Sequence, residues 1–310
     1  MFKKIKPHSI ELLGTIRRTS SILSLDARDS IADFVFAQLT TEGGFCNRAG
    51  VRDQYYTLFG LGCAAALDLP VPLDRIRRYL MLFEPEKLDL VHLVCWAKSL
   101  LIIKLLQMRT FNPSLRLILS WKLRPAMKVT PERFRTDNGG FSDDGTSEKS
   151  HPYAVFMGLN LYQDCAIRMP DVTGAIAALE QCRTAEGAFH NPLGGGHGML
   201  LSTSAAMLAL RQLTGKVDER AVQWMSKQQG VTGGFHASPD TPMPDLLSTA
   251  VALFSLRICG YPLDDMAGPA RKFILDHWHE GGGFTGTLVD DCADCEYTFY
   301  ALMALGALTG

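Results

Sequence analysis

A chain of 310 residues that is 47% hydrophobic and 20% charged holds enough apolar material for one large folded domain or two ordinary ones. Its formal net charge of −1, with no basic stripe interleaved with aromatics, speaks against a nucleic-acid partner. No apolar run reaches about 18 residues, so no transmembrane segment is expected.

The N-terminal stretch "MFKKIKPHSIELLG" is basic but lacks the apolar core of a secretory signal. Residues 1–25 read as a tail or an extra helix ahead of a domain over residues 26–310. Eight cysteines (46, 63, 95, 165, 182, 259, 292 and 295) sit mostly inside apolar helical patterns. That is the habit of reduced, buried thiols. A cytoplasmic protein is expected, with contact at an anionic membrane surface left open by the basic start.

From residue 26 onward the chain repeats itself. A helix with charge on one side and apolar residues at i, i+3 and i+4, such as "RDSIADFVFAQL", leads to a glycine turn and a phenylalanine. A loop follows, then a helix apolar nearly all round, such as "TLFGLGCAAAL". The turn phenylalanines are Phe45, Phe141, Phe189, Phe235 and Phe284, separated by 96, 48, 46 and 49 residues. The first gap is about two periods. A degenerate unit, "FEPEKLDLVHLVCWAKSLL" from Phe83, fits inside it.

Six units therefore cover most of the chain. Half-exposed helices alternating with buried ones predict an inner ring inside an outer ring, because an open solenoid would leave the apolar helices one exposed face. The glycines are expected to provide left-handed caps for the preceding helix. Gln38, Gln181 and Gln229 are placed to bond the freed loop backbone. "D-x-x-x-T" opens three of the apolar helices, as Asp53…Thr57, Asp245…Thr249 and Asp294…Thr298.

Glutamine, Gly-Gly-Phe and then D-x-x-x-T at a period of about 48 residues resemble the prenyltransferase and squalene-oxidase repeat. This superfamily comprises the β subunits of protein prenyltransferases and the β domains of class II terpene cyclases. The resemblance implies an all-α fold, an α/α toroid of about twelve helices from six helical hairpins, with a central apolar cavity for an isoprenoid chain.

Two branches give different expectations. Protein prenyltransferases hold zinc with an Asp and a Cys at one inner-helix start and a His at the next. By resemblance Asp245 takes the aspartate place, while Leu247 and Tyr297 stand where the cysteine and histidine belong. No metal ligand set is therefore assigned, and zinc would need a rebuilt site. That branch would also imply an α-type partner subunit. Its diphosphate-binding histidine region resembles "GGGHGMLL", which makes His197 a candidate substrate contact.

Class II cyclases instead protonate a double bond or epoxide with an acid at an inner-helix start. Asp294-Cys-Glu296-Tyr-Thr298 resembles that motif, with Glu296 in the place of the acid and Asp294 as its electrostatic partner. A carboxyl at the top of an apolar cavity has its pKa raised by desolvation and by a neighbouring like charge. Tyr55, Tyr153, Tyr297 and Asp245 are candidate substrate contacts at the mouth, where aromatic faces stabilise cations. Asp245 and Asp294 also suit plain helix N-caps. Cys292-x-x-Cys295 is a weak metal signal. His92 and His151, at inner-helix starts, read as satisfied polar residues. Acid-initiated isoprenoid cyclisation is the leading expectation, with cysteine prenylation and a non-catalytic lipid-binding scaffold as alternatives.

Overall fold

The computed structural model describes residues 5–108, 130–146, 149–192 and 196–309. Twelve α-helices dominate these residues: α1 (His8–Arg18), α2 (Leu25–Ala37), α3 (Gln54–Leu67), α4 (Leu73–Leu80), α5 (Leu90–Gln107), α6 (Pro152–Asp164), α7 (Val172–Glu180), α8 (Leu200–Thr214), α9 (Glu219–Ser226), α10 (Leu246–Ile258), α11 (Asp264–Asp276) and α12 (Cys295–Ala307). One two-residue hairpin pairs β1 (Phe45–Cys46) with β2 (Arg52–Asp53), antiparallel.

The six apolar helices α3, α5, α6, α8, α10 and α12 pack in that order, and α12 returns to α3. They form a closed inner ring. Helices α2, α4, α7, α9 and α11 lie outside it, and the sixth outer helix that the repeat predicts falls outside the described residues. The inner helices are buried almost throughout, as in Phe59 to Leu67 of α3. The architecture is the α/α toroid, and the degenerate unit contributes α5 as a full ring member.

Helix α5 is long and apolar enough to cross a membrane by length and composition alone, with a mean hydropathy of 1.6, although Lys98 and Lys104 interrupt its apolar run. Its ring position gives the reason. An inner helix must be apolar on faces that touch both neighbours, and Trp96 at its centre is buried with its indole N–H donating to Leu80 O at 3.0 Å.

The glycine turns differ from the expected helix caps. Helices α2, α7 and α9 end on right-handed residues, Gln38, Gln181 and Lys227. The chain then doubles back as a short hairpin with bridges Leu39 to Phe45, Arg183 to Phe189, Gln229 to Phe235 and Trp278 to Phe284. The left-handed glycine lies at the hairpin tip, and Gly233 and Gly282 have φ of 93° and 90°. Space matters as much as φ there. A Cβ on Gly233 would lie 2.2 Å from Pro269 O, and one on Gly282 2.2 Å from Ser30 O. Of the three glutamines, Gln229 bonds the turn, donating to Gly233 O at 3.0 Å, whereas Gln181 accepts from Asn138 of the preceding unit.

The phenylalanine after each turn is fully buried, worth about 1.5–3 kcal/mol each. The D-x-x-x-T motif explains how it is held. Asp245 accepts from Ser248 N at 2.7 Å and Asp294 from Tyr297 N at 2.8 Å, capping α10 and α12. Four residues on, the threonine hydroxyl donates back to the capping residue's carbonyl and accepts the phenylalanine N–H. Phe235 N to Thr249 Oγ1 is 2.8 Å, and Phe284 N to Thr298 Oγ1 is 3.1 Å. The motif therefore fastens the turns at Phe45, Phe235 and Phe284 to the inner helices that follow.

Helix α1 belongs to neither ring. It packs on α12, α3, α6 and α10 at the end of the ring where the inner helices finish.

Candidate active site

All inner helices start at the same end of the ring, so their first turns surround one opening. Glu296 lies in the first turn of α12, half-buried, and Tyr55 in the first turn of the neighbouring α3 donates its hydroxyl to Glu296 Oε1 at 2.6 Å. Desolvation raises the Glu296 pKa and the Asp294 charge adds to it, while the Tyr55 hydrogen bond and Arg48 act in the opposite sense.

Tyr153 starts α6, directly across the ring from α12, and keeps 46% of its surface accessible. Its phenol pKa is nevertheless pushed up, first by desolvation and then by Cys95, Glu296 and Asp143. Both observations hold together if the open face of the ring looks into a protein-lined recess and not into bulk solvent. Tyr300, one turn below Glu296, is likewise raised by burial and by Tyr153 and Glu296. Phe59 contacts the rings of Tyr55, Phe299 and Tyr300 at centroid distances of 4.8, 5.4 and 5.6 Å. The acid thus heads an aromatic-walled recess.

Asp294 is not a free carboxylate. It is buried, caps α12 through Oδ1, and accepts from Arg48 Nε through Oδ2 at 2.6 Å. Arg48 also grips Asp290 at 2.7 and 3.2 Å and lies 5.4 Å from the centre of the Tyr297 ring. It comes from the loop after β1, shaped by Asn47, whose Oδ1 accepts from Ala49 N and Val51 N. Burial works against the guanidinium's charge, and the two carboxylates outweigh it. Sequence reading missed Arg48, because nothing in the first unit points to an acid 246 residues away. The mouth is therefore acidic but partly neutralised, one cation serving two aspartates.

The other predicted residues separate. His197 is exposed in the loop before α8, within electrostatic reach of Glu186. His92 and His151 have structural partners: His92 Nδ1 lies 2.8 Å from Asp89, and His151 Nδ1 accepts from Ala154 N as the cap of α6. Asp245 spends both oxygens on Ser248, at 2.7 Å to its N and 2.7 Å to its Oγ.

Zinc does not fit these residues. Asp245 is saturated, and neither Leu247 nor Tyr297 supplies a thiolate or imidazole. Among the described residues no group of three or more His, Cys, Asp or Glu side chains is placed to hold a metal. Cys295 is fully buried, and its backbone carbonyl accepts from the Cys63 thiol at 3.7 Å, whereas Cys292 is half-buried and its thiol donates to Ala293 O.

Comparison with known proteins agrees with this architecture. The prenyltransferase alpha-alpha toroid domain model matches residues 7–236 and 199–309. The chain belongs to that family. Among solved structures it is similar to protein geranylgeranyltransferase-I of Candida albicans complexed with GGPP, at 13% identity and TM-score 0.53, covering 95% of this chain and 81% of that one. A protein from Actinoplanes matches at 15% identity and TM-score 0.51, covering 91% and 98%. The ent-copalyl diphosphate synthase of Streptomyces platensis matches at 18% identity and TM-score 0.46, covering 97% of this chain and 50% of that one. No curated protein sequence matches the chain.

Proposed function

We propose that this toroid is an isoprenoid-handling enzyme that starts its reaction by proton transfer from Glu296. The observation that carries the proposal is the setting of Glu296: a half-buried carboxyl with a raised pKa, at the head of an aromatic recess, hydrogen-bonded to Tyr55 and, among the described residues, to no cation. Such a group keeps its proton to higher pH than an ordinary carboxyl and has an acceptor nearby for it in an apolar substrate.

In the proposed step the Glu296 O–H bond breaks and its proton forms a C–H bond with one carbon of a substrate double bond. The alkene π electrons form that bond, and the positive charge falls on the other carbon. An epoxide oxygen would take the proton in the same way. Tyr55 supports the carboxylate left behind, because a hydrogen bond to the charged form favours it. The faces of Tyr300, Tyr153 and Phe59 supply negative quadrupole to the developing cation.

Cysteine prenylation is the weaker reading. A diphosphate leaving group needs net positive charge, and Arg48 is already shared by Asp290 and Asp294.

The test is incubation of the purified protein with geranyl, farnesyl and geranylgeranyl diphosphates, without added metal, followed by mass spectrometry of the lipid fraction. An isomeric cyclised product that disappears in Glu296→Gln, with helicity retained, is the expected result. Undiminished product in that variant, or lipid that binds and returns unchanged, would sink the proposal. The second outcome would leave a lipid-binding scaffold.

A further inference from the structure

The recess below Glu296 is shallow. On α6, Tyr153 is exposed and Phe156 half-buried, whereas Asn160 and Asp164 are buried. On α10 the accessible surface ends between Val251 and Phe254, and on α12 between Tyr300 and Met303. At 1.5 Å per residue the opening closes about 5–10 Å below the mouth, against about 20 Å for a whole inner helix of this length.

What closes it is helix α1. Its first residue, His8, puts its imidazole edge-on to Phe156 at 4.6 Å and to Phe254 at 5.5 Å. From there α1 crosses the ring. Thr19 Oγ1 donates to Leu302 O at 2.6 Å and Arg18 Nε to Gly306 O at 3.1 Å, on the far side from Asp164. A Cβ on Gly306 would lie 2.1 Å from Thr15 O, so the approach of the two helices requires glycine.

Two half-hidden charge networks pin the crossing. Lys98 donates to Ser9 Oγ at 2.5 Å and to Asn160 and Asp164 at 3.3 Å, and Ser9 donates to Asp164 at 2.9 Å. Arg211 grips Glu11 through two bonds of 3.0 and 2.9 Å. Charges buried this way resist separation, because either partner left alone would be costly.

We infer that α1 is the floor of the binding recess, with His8 as its uppermost side chain, and that this floor limits the bound isoprenoid to a short chain. The inference rests on the isoprenoid reading of the same recess. A long polyprenyl chain extended along the ring axis would have to occupy the volume that His8, Leu13 and Ile16 already fill, all three of them buried.

The experiment measures binding of geraniol, farnesol and geranylgeraniol to the full chain by quenching of intrinsic fluorescence, in the wild type, His8→Ala and His8→Trp. The wild type should bind the shorter alcohols in preference to geranylgeraniol. His8→Ala should shift that ratio toward the longest alcohol by about tenfold, the scale set by a few carbons gained or lost in an apolar pocket. His8→Trp should lose farnesol while keeping geraniol. If one variant does not fold, the other decides. Equal binding of all three alcohols by the wild type, or a length ratio that neither variant moves, would overturn the floor assignment and leave isoprenoid binding standing. Binding of none of them would overturn the isoprenoid reading and the floor with it.

Discussion

Glu296 is pulled in two directions. Burial and Asp294 favour its neutral form, and Tyr55 and Arg48 favour its charged form, with the first pair prevailing. Its folded-state pKa lies above that of the unfolded chain, so the folded protein binds this proton more tightly. Glu296 therefore costs stability as pH rises through its raised value, and the cost vanishes below the ordinary carboxyl pKa of 4.5. Glu296→Gln should raise the melting temperature at neutral pH and leave it unchanged in strong acid, a comparison that thermal denaturation at the two pH values makes directly. Tyr55→Phe removes a bond that stabilises the carboxylate. The alkaline limb of the rate profile should then move to higher pH while the maximal rate falls, because the acid becomes more weakly ionising. A limb that stays in place would remove Glu296 from the rate-limiting protonation.

At the scale of the element, the repeating unit is held by the bond from the threonine hydroxyl to the turn phenylalanine. Val155 occupies the corresponding place in the third unit, four residues after its capping His151, so a valine is sterically acceptable there. Thr249→Val should accordingly isolate the loss of the hydroxyl. An orphaned buried Phe235 N–H costs about 1–3 kcal/mol, readable as a lower urea midpoint at unchanged slope.

The spacing behind this device was legible in the sequence because it recurs, but the threonine's bond to the phenylalanine was not. Asp245 and Asp294 share a spacing to Thr249 and Thr298, and a repeated spacing marks a repeated geometry. The hairpin character of the turns was not legible, since Gly-Gly suits a helix cap and a tight turn equally. Arg48 was hidden for a different reason. Its partners lie in the last unit, and the contact exists only because the ring brings the first and last inner helices together. Glu296 could be picked out as an acid at an inner-helix start, but its bond to Tyr55 again needed the closed ring.

At the scale of the molecule, the N-terminal segment was the least legible part. Residues 1–25 show a basic start and a short amphipathic pattern, with nothing to say that the helix crosses the ring. Its placement has a pH signature. Burial first, then Lys98 and Arg211, hold the His8 pKa well below its ordinary 6.5, and the carboxylates of Asp164 and Glu11 stand in the same networks. The unfolded chain takes up this proton first, so stability should fall as pH drops from about 6.5 toward the lowered value, and no further below it. His8→Phe should abolish that part of the acid-side loss, with the unfolding free energy measured at several pH values as the check.

The turn glycines carry a last consequence. Gly43 abuts Arg75 of α4, Gly187 abuts Arg220 of α9, and Gly233 abuts Pro269 of α11, each turn docking on the outer helix of the unit that follows. Gly282, in the final unit, docks on Ser30 of α2 in the first. Among the described residues the series therefore closes on itself. A linear array of repeats can fray from its ends and unfold in stages, but a loop of repeats has no end from which to fray. Loosening any one unit breaks two interfaces at once. Denaturation should proceed in a single transition reported alike by helicity and by tryptophan fluorescence. A cut placed in any one inter-unit loop should cost the same cooperative structure, whichever loop is chosen.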